Sequence, residues 1–373
     1  MKAPDCANER RIFRICKKVT SIVPMRIALI APPFIAVPPQ RYGGTELFVA
    51  ELASGLAQQG VAVTLYTNGE SSLPLPMKWL YEKQEWPIEG DTEVNLKALN
   101  HVAWAVRDAL GSAEIIHINN APGLPLCRFA DVPVVYTVHH TYEQPLADFY
   151  GQFPAVSFVT ISDFQRKELK VPHARTIHHG IDMTKYRFQA KKQDYLCFLG
   201  RVAPPKGTHL AIDIAKKTGI PLKIAGEIQP LYREYWETQV KPHVDGRFIE
   251  YVGEVGLLEK NELLGNARAM LFPIQWDEPF GLVLVEAMAC GTPVLAMPGG
   301  SVGEIVREGV SGYVRKSVQE LADCIKDLRF EPRDVRQYAN EFFSKERMVN
   351  DYIELYTGIL RDQYPAQTEP LVA

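Results

Sequence analysis

Long apolar stretches, an excess of basic residues and paired cysteines are all missing from this sequence. No uninterrupted apolar run among its 373 residues reaches the length that spans a bilayer, which argues against an integral membrane protein. The formal net charge is −3, whereas a general nucleic-acid binder normally carries a basic excess. The six cysteines form no C-x-x-C pair and no cluster with histidine, so neither a zinc site nor a disulfide framework is predicted.

The first 24 residues differ from the rest of the chain. They are basic, and they lack both a long apolar core and a small-residue cleavage site, so a secretory signal is not expected. Met25 then opens MRIALIA, a pattern typical of a buried strand. We interpret residues 1–24 as a disordered or non-native extension. A basic arm that contacts anionic lipid is the alternative.

From Met25 onward, short β-rich runs alternate with amphipathic stretches. Helical patterns at 45–60 and 94–111 separate continuous apolar runs, which predicts a parallel sheet covered on both faces. A second series of the same kind starts near Asp194, after a polar, loop-like stretch at 181–193. The pattern therefore predicts an α/β protein with two Rossmann-like, doubly wound domains that face a central cleft. Ligands of such sheets bind at the carboxyl ends of the strands.

Two candidate segments lie at strand ends in the first series. In PPQRYGGTE, Gly43 and Gly44 precede a helix, and they allow a ligand to approach the helix N-terminus closely. A simple turn is the alternative, and the more common one. In TVHH, His139 is placed to donate a hydrogen bond or to move a proton, and a half-buried structural imidazole is the alternative. No cysteine or carboxylate stands at ligand spacing from this histidine, so no metal site is predicted.

A pair of cations marks the first strand end of the second series. In LGRVAPPKGTHLAI, Arg201 follows a strand and Lys206 stands at a helix start, separated by a rigid Pro-Pro loop. Because a helix N-terminus repels cations, this placement makes most sense if an anion lies between them. The segment is not a Walker loop, since G-x-x-x-x-G-K-[ST] is missing. We interpret it as a diphosphate clamp, with solvated surface charge as the alternative.

Two acids eight residues apart mark the fourth segment, WDEPFGLVLVEAMACGTPV. Glu278 lies in the loop after a strand, and Glu286 lies about one turn inside an otherwise apolar helix, where a carboxylate needs a partner. Helix-start amides from Phe280, Gly281, Leu282 and Val283 are available to phosphate or sugar oxygens. The two catalytic carboxylates of a glycosidase face each other across one bond. We therefore interpret Glu278 and Glu286 as binding different parts of an extended ligand.

These four segments resemble those of a known family. EPFGLVLVE is similar to the E-x7-E signature of retaining, nucleotide-sugar-dependent glycosyltransferases of family 4, which have the GT-B fold of two Rossmann-like domains. Further segments occur in the order of the family: GGTE, VTISDFQRKEL, IHHGID, LGRVAPPKG, YVGEV, EAMACGTPVLA and GYV. The similarity covers about residues 25–360. One departure is His179, where the family often has asparagine in this hinge segment.

The resemblance implies three domain segments after the extension. Residues 25–185 would form the N-terminal acceptor domain, and residues 186–344 the C-terminal nucleotide-sugar donor domain. Residues 345–362 would form a helix that crosses back to the N-terminal domain.

The resemblance also implies a role for each candidate residue. Glu278 would hold hydroxyls of the donor sugar, and Glu286 would hold the ribose hydroxyls. Arg201 and Lys206 would neutralise the diphosphate. The remaining implied positions are the amides of Phe280, Gly281 and Leu282 close to sugar and phosphate, Gly44 near the phosphate from the other domain, and His139 near the far edge of the donor sugar.

The implied reaction is transfer of a hexose from a UDP- or GDP-sugar to a sugar, glycolipid or small-molecule acceptor, with retention. No D-x-D motif occurs, so no metal is expected, and the leaving phosphate would take the acceptor proton in a same-face attack. A sugar phosphorylase or nucleotide-sugar epimerase on the same fold is one alternative. A non-catalytic nucleotide-sugar sensor is another.

The expected location is the cytoplasm, with peripheral contact at the inner face of the membrane as an added expectation. The acceptor would bind loops around 32–44, 70–90 and 140–152. We interpret the aromatic-rich segment 76–87 as a packing flap, and sugar stacking or membrane contact are its alternatives. No nucleic-acid partner is expected.

Overall fold

The structure is a computed structural model that describes residues 24–41, 43–86, 91–171 and 173–363. Of the predicted extension, all but Pro24 lies outside the described residues. The chain forms two separate parallel sheets, each flanked by helices. The predicted α/β class with two Rossmann-like sheets is therefore confirmed.

In its described residues, the N-terminal half contains seven strands and four α-helices. These are β1 (Arg26–Ile30), α1 (Gly44–Gln58), β2 (Ala62–Thr67), β3 (Met77–Trp79), α2 (Asp91–Ala109), β4 (Ile115–Ile118), β5 (Val134–Val138), α3 (Gln144–Tyr150), β6 (Ser157–Thr160), α4 (Asp163–Leu169) and β7 (Arg175–Thr176).

The C-terminal half contains six strands and seven helices, and a last helix follows it. These are β8 (Leu196–Leu199), α5 (Thr208–Thr218), β9 (Leu222–Ala225), α6 (Arg233–Tyr235), β10 (Ile249–Gly253), α7 (Leu257–Asn266), β11 (Ala269–Phe272), α8 (Leu282–Ala289), β12 (Val294–Ala296), α9 (Val302–Ile305), β13 (Gly312–Val314), α10 (Val318–Lys326), α11 (Pro332–Phe343) and the last helix, α12 (Lys345–Gln363).

The strand order places a ligand crevice in each half. The first sheet runs β3-β2-β1-β4-β5-β6-β7 and the second runs β10-β9-β8-β11-β12-β13, with every pair parallel. In each sheet the winding reverses beside the first strand, between β1 and β4 and between β8 and β11. Crevices open at the carboxyl ends of strands at such reversal points. Both halves therefore present their strand ends and following loops as candidate binding surfaces.

The central strands are almost fully buried, in line with their continuous apolar sequences. The residues of β4, β5, β8 and β11 are all buried, because helices cover both faces of each sheet. The sequence interpretation missed three short edge strands, β3, β7 and β13. The aromatic segment thus contributes an edge strand, β3, in which Trp79 is 42% exposed.

The last helix packs on the N-terminal half, although it follows the C-terminal half in the chain. Tyr352 and Tyr356 of α12 are fully buried in the same cluster as α1 and β1. The linker between the sheets, residues 177–195, meets the start of α12. Ile181 N donates to Phe343 O, and Lys345 N donates to Ile181 O. The two segments that connect the halves, the linker and the start of α12, are therefore hydrogen-bonded to each other.

No helix within the described parts of the chain is long and apolar enough to cross a membrane. The domain boundaries inferred from the sequence remain a prediction.

Candidate active site

A pocket of about 510 Å³ lies between the two halves. It is lined by loops from both, at the carboxyl ends of β1 and β5 in the first sheet and of β8 to β11 in the second. Every candidate residue from the sequence lines it: Gly43, Gly44, His139, Arg201, Lys206, Glu278, Phe280, Gly281, Leu282, Val283 and Glu286. The strand-end rule therefore brings these residues together, while their individual roles remain predictions.

Glu278 and Lys206 form an ion pair inside this pocket. Lys206 Nζ lies 2.6 Å from Glu278 Oε2, and the two side chains are only 15% and 10% exposed. Trp276 Nε1 donates to the same oxygen at 2.9 Å, and Lys206 Nζ lies 4.5 Å from the centre of the Trp276 ring. Both contacts use Oε2, so the three side chains form one unit in which a cation and a carboxylate face the cleft together.

Lys206 is held in place by the backbone around it. It ends a short 3-10 turn that starts at Pro204, and Gly207 follows with φ 73° before α5 begins. A side chain on Gly207 would lie 1.9 Å from Pro273 O, so this position requires glycine. The predicted helix therefore starts two residues later than expected, and Lys206 lies just before it.

Only one of the two carboxylate oxygens of Glu286 has a hydrogen-bond partner among the described residues. Tyr186 Oη donates to Oε1 at 2.7 Å, and Lys260 Nζ lies 2.7 Å from the same atom. Glu286 is 1% exposed, and its Oε2 is buried without a hydrogen-bond partner in the described protein. Burial raises the pKa of Tyr186 well above its ordinary value, and the neighbouring Glu286 carboxylate reinforces the shift, so the phenol stays a donor. Sequence reasoning missed Tyr186 and Lys260.

The start of α8 faces the pocket between the two acids. Gly281 precedes the helix with φ 85°, and none of the described side chains caps the helix start. The ring of Phe280 is 2% exposed and packs against His179 at 5.0 Å. Ser301 Oγ donates to Phe280 O at 3.0 Å, which fixes the loop. The amides of the first turn are thus presented by a rigid backbone, as an anion site requires.

Arg201 lines the pocket and belongs to a chain of hydrogen-bonded polar side chains. Its Nη1 donates to Gln229 Oε1 at 3.3 Å, and Gln229 Nε2 donates to Glu227 Oε2 at 2.9 Å. Burial raises the pKa of Glu227, although hydrogen bonds from Gln229 and from Trp86, in the other half, oppose the shift. Glu227 and Glu254 also line the pocket and were not predicted. Both follow strands, so the strand-end rule would have found them.

The glycines of the N-terminal half approach the pocket from the opposite side. Gly43 has φ 146°, and a side chain there would lie 2.8 Å from Pro39 Cβ and 3.0 Å from Glu46 Oε2. Gly44 starts α1 and lies near Leu282 of the other half. Glu46 is 6% exposed, and burial raises its pKa to about 7. This buried acid beside the glycine loop was not predicted.

His139 directly follows β5 and packs within a row of rings. Its ring centre lies 4.9 Å from that of Phe48 and 5.5 Å from that of His179. His139 Nε2 lies 2.9 Å from Asn119 Oδ1. Burial lowers the pKa of His139 well below its ordinary value, and the nearby histidines, His179 first, lower it further. The imidazole is therefore neutral at pH 7.

Within the described ranges, no group of three or more His, Cys, Asp or Glu side chains is arranged to hold a metal ion.

Two family models match consecutive parts of the chain. The one described as Glycosyltransferase Family 4 matches residues 42–185, and the one described as Glycosyl transferases group 1 matches residues 182–342. Together they span residues 42–342, which include the whole second sheet, the first sheet except β1, and the pocket lining except the loop from Pro38 to Arg41. A GT-B arrangement of two Rossmann-like sheets around a cleft is thus the class of the protein. The chain belongs to the group 1 glycosyltransferases of family 4.

Individual relatives are distant in sequence. Glycogen synthase of Mycobacterium tuberculosis is 28% identical over 262 residues, and the match spans 62% of each protein. O-antigen chain mannosyltransferase C of Escherichia coli is 23% identical, over 87% of this chain and 97% of that one. Among solved structures, AviGT4, a glycosyltransferase involved in avilamycin A biosynthesis, has a TM-score of 0.69 at 26% identity, covering 90% of this chain and 98% of its own.

Proposed function

We propose that this protein transfers a hexose from a UDP- or GDP-sugar to an acceptor hydroxyl with retention of configuration. The observation that carries the proposal is the state of Glu286. Tyr186 and Lys260 occupy its Oε1, while its buried Oε2 has no partner in the described protein. A buried carboxylate oxygen needs a donor, and a ribose hydroxyl of the nucleotide supplies one.

With the ribose at Glu286, the proposed positions of the diphosphate and of the sugar follow from the other residues of the pocket. The pocket that Glu286 lines is also lined by Leu282 and Val283 of the first turn of α8, by Lys206 and by Arg201. Two cations and an uncapped helix start suit a diphosphate. Glu278 lies at the same end as Lys206 and accepts hydroxyls of the transferred sugar. Gly43 and Gly44 close on the phosphates from the N-terminal half.

The proposed chemistry needs charge stabilisation more than a nucleophile. The acceptor oxygen forms a bond to the anomeric carbon while the bond from that carbon to the phosphate oxygen breaks. The acceptor proton passes to the leaving phosphate on the same face. Arg201, Lys206 and the start of α8 stabilise the charge that develops on the diphosphate. We propose that these groups serve without a metal or another cofactor, and that closure of the halves excludes water.

The acceptor site belongs to the N-terminal half. The N-terminal half contributes the loop from Pro38 to Arg41 and His139 to the lining of the pocket. We propose a sugar, a glycolipid or a small molecule as the acceptor. We further propose a cytoplasmic location with peripheral contact at the inner membrane face, which the exposed side chain of Trp79 supports.

The test is a screen of UDP- and GDP-sugars with and without candidate acceptors, followed by release of nucleoside diphosphate. Release that an acceptor stimulates, with a product whose anomeric proton keeps the donor configuration by NMR, supports the proposal. Release only with inorganic phosphate indicates a phosphorylase. Conversion of the nucleotide sugar without release indicates an epimerase. Tight binding without any turnover indicates a sensor.

A further inference from the structure

Asn119 and His139 meet at the edge of the first sheet. Asn119 directly follows β4 and His139 directly follows β5, and these neighbouring strands are parallel, with Ile118 opposite Tyr136. The carboxyl ends of the strands therefore bring the two side chains together. Asn119 is 5% exposed, whereas His139 lines the pocket.

The orientation of the Asn119 amide is fixed from behind. Its Nδ2 donates to Ile30 O at 3.1 Å, and its backbone N donates to the same oxygen at 3.1 Å. Because only the amide nitrogen can donate to a carbonyl, Oδ1 must be the atom that faces His139. An amide oxygen only accepts, so His139 Nε2 must carry the hydrogen of this 2.9 Å bond.

The opposite nitrogen of the ring is then an acceptor. With the hydrogen on Nε2 and the ring neutral, Nδ1 has a free lone pair. No residue that the structure describes makes a hydrogen bond to Nδ1. The groups that act electrostatically on His139 are other histidines, namely His179, His117 and His140.

We propose that Asn119 is a positioning residue that locks His139 in the Nε2-protonated tautomer, so that Nδ1 accepts a hydrogen bond from a hydroxyl of the bound sugar. The part of this inference that concerns the sugar rests on the proposed function. The tautomer itself does not. Without the lock, part of the population would carry its hydrogen on Nδ1 and would present a donor where the site needs an acceptor.

A purely structural role for Asn119 is the competing explanation, since its amide also ties β4 to β1 through Ile30 O. Two substitutions separate the roles. Asn119→Asp keeps an oxygen that accepts from His139 Nε2 but loses the donor to Ile30 O. Asn119→Leu loses both. A structural role predicts equal damage from both variants, whereas the tautomer lock predicts that Asn119→Asp retains the Nε2-H form.

The decisive measurement is the ¹⁵N spectrum of histidine-labelled, unliganded protein at pH 8, with the His139 signals assigned by their loss in His139→Gln. We expect wild type and Asn119→Asp to show Nε2-H only, and Asn119→Leu to show both tautomers. We also expect Asn119→Leu to lower kcat/KM for the donor about tenfold, and to lower the melting temperature because the buried bond to Ile30 O is lost. Asn119→Asp should stay within about threefold of wild type at pH 8 and fall further behind as the pH drops, because a carboxylate favours the imidazolium.

An Nδ1-H signal in wild type, or a single Nε2-H tautomer in folded Asn119→Leu, overturns the proposal. Because the spectrum is recorded without substrate, it decides on the tautomer even if the protein transfers no sugar. A wild-type lock that is lost in Asn119→Leu, in a protein without transferase activity, would count against the proposed function alone.

Discussion

Lys206 Nζ and Glu278 Oε2 lie 2.6 Å apart, so the cation assigned to the diphosphate and the carboxylate assigned to the sugar neutralise each other in the unliganded pocket. Under the proposed function, the donor redistributes this pair: its phosphate binds Lys206 and its hydroxyls bind Glu278. Removing only one member of such a buried pair destabilises the folded protein, because the remaining charge has no counterion.

The first prediction concerns this pair. Lys206→Met should lower kcat by about 10²- to 10³-fold, since it removes the charge that we propose stabilises the leaving diphosphate. Lys206→Met and Glu278→Gln should each lower the melting temperature. The double variant should melt above both single variants while staying inactive. Steady-state kinetics with thermal melts of all four proteins measure this cycle. A double variant that is the least stable of the four would show that the pair carries no coupling.

The second prediction concerns Glu286, the proposed anchor for the ribose. Glu286→Gln should weaken binding of the nucleoside diphosphate by about tenfold or more, because a charged acceptor is lost and Lys260 is left without its partner. Tyr186→Phe should weaken it by a smaller factor, since only the orientation of Glu286 is affected. Titration calorimetry measures both. Tyr195→Phe is the control, because Tyr195 donates to Leu263 O and does not line the pocket. Equal affinities in all three variants would refute the assignment.

The sequence predicted the pocket better than its internal contacts. Parallel strands end at one edge, so residues placed after different strands were expected to converge, and His139, Arg201 and Glu278 do so. The pairing of Tyr186 with Glu286 joins positions 100 residues apart. It arises because the linker packs against α8, and no local pattern encodes that contact.

The missed strands have a similar explanation. The edge strand β7 is only two residues long, and β3 and β13 have three each, which is too short for any periodicity to register. In contrast, the buried central strands were predicted because their apolar runs are continuous. Secondary structure was thus readable in the continuous apolar runs and unreadable in these two- and three-residue strands at the sheet edges.

The third prediction concerns a contact that holds the halves together. Glu304, in α9, accepts from the backbone amides of Asp163 at 2.8 Å and Phe164 at 2.5 Å, and from His178 Nε2 at 3.1 Å. These partners all belong to the N-terminal half or the linker. Glu304→Gln should weaken these hydrogen bonds between the halves and admit water to the pocket. Hydrolysis of the proposed donor should then rise relative to transfer.

The measurement for Glu304 is the ratio of free sugar to transferred sugar at equal nucleotide release. Glu308→Gln is the matched control, since Glu308 pairs with Arg315 within one half. We expect the ratio to rise in Glu304→Gln and to stay at the wild-type value in Glu308→Gln. An unchanged ratio in Glu304→Gln, or an equal rise in both variants, would contradict the prediction.

The fourth prediction concerns pH and stability. Burial lowers the pKa of His117 to about 3, and its ring nitrogens lie 2.7 Å from Tyr356 Oη and 2.8 Å from Thr137 Oγ1. The unfolded chain binds a proton near pH 6.5 and the folded chain does not, so the free energy of unfolding should fall as the pH drops below about 6.5. His117→Gln should reduce this slope by up to about 1.4 kcal/mol per pH unit between pH 6 and 4.

Urea unfolding at a series of pH values measures the effect of His117. Thr137→Val provides the control, because it removes one hydroxyl partner and keeps the imidazole. We expect it to lower stability by a similar amount at every pH and to keep the wild-type slope. A His117→Gln slope that equals the wild-type slope would mean that this imidazole is already protonated in the folded protein.

The fifth prediction tests the backbone that presents Lys206. Gly207 has φ 73°, and an added Cβ would lie 1.9 Å from Pro273 O, so Gly207→Ala should cost at least about 2 kcal/mol of unfolding free energy. Gly358, inside α12, has nothing within 4 Å of an added Cβ, so Gly358→Ala should stabilise the fold by about 0.5–1 kcal/mol. Chemical denaturation compares the two directly. Gly207→Ala should also lower kcat, because the backbone shift that relieves the clash moves Lys206, whereas Gly358→Ala should leave kcat unchanged. If Gly207→Ala kept full activity and stability, the tight turn would not be what positions the cation.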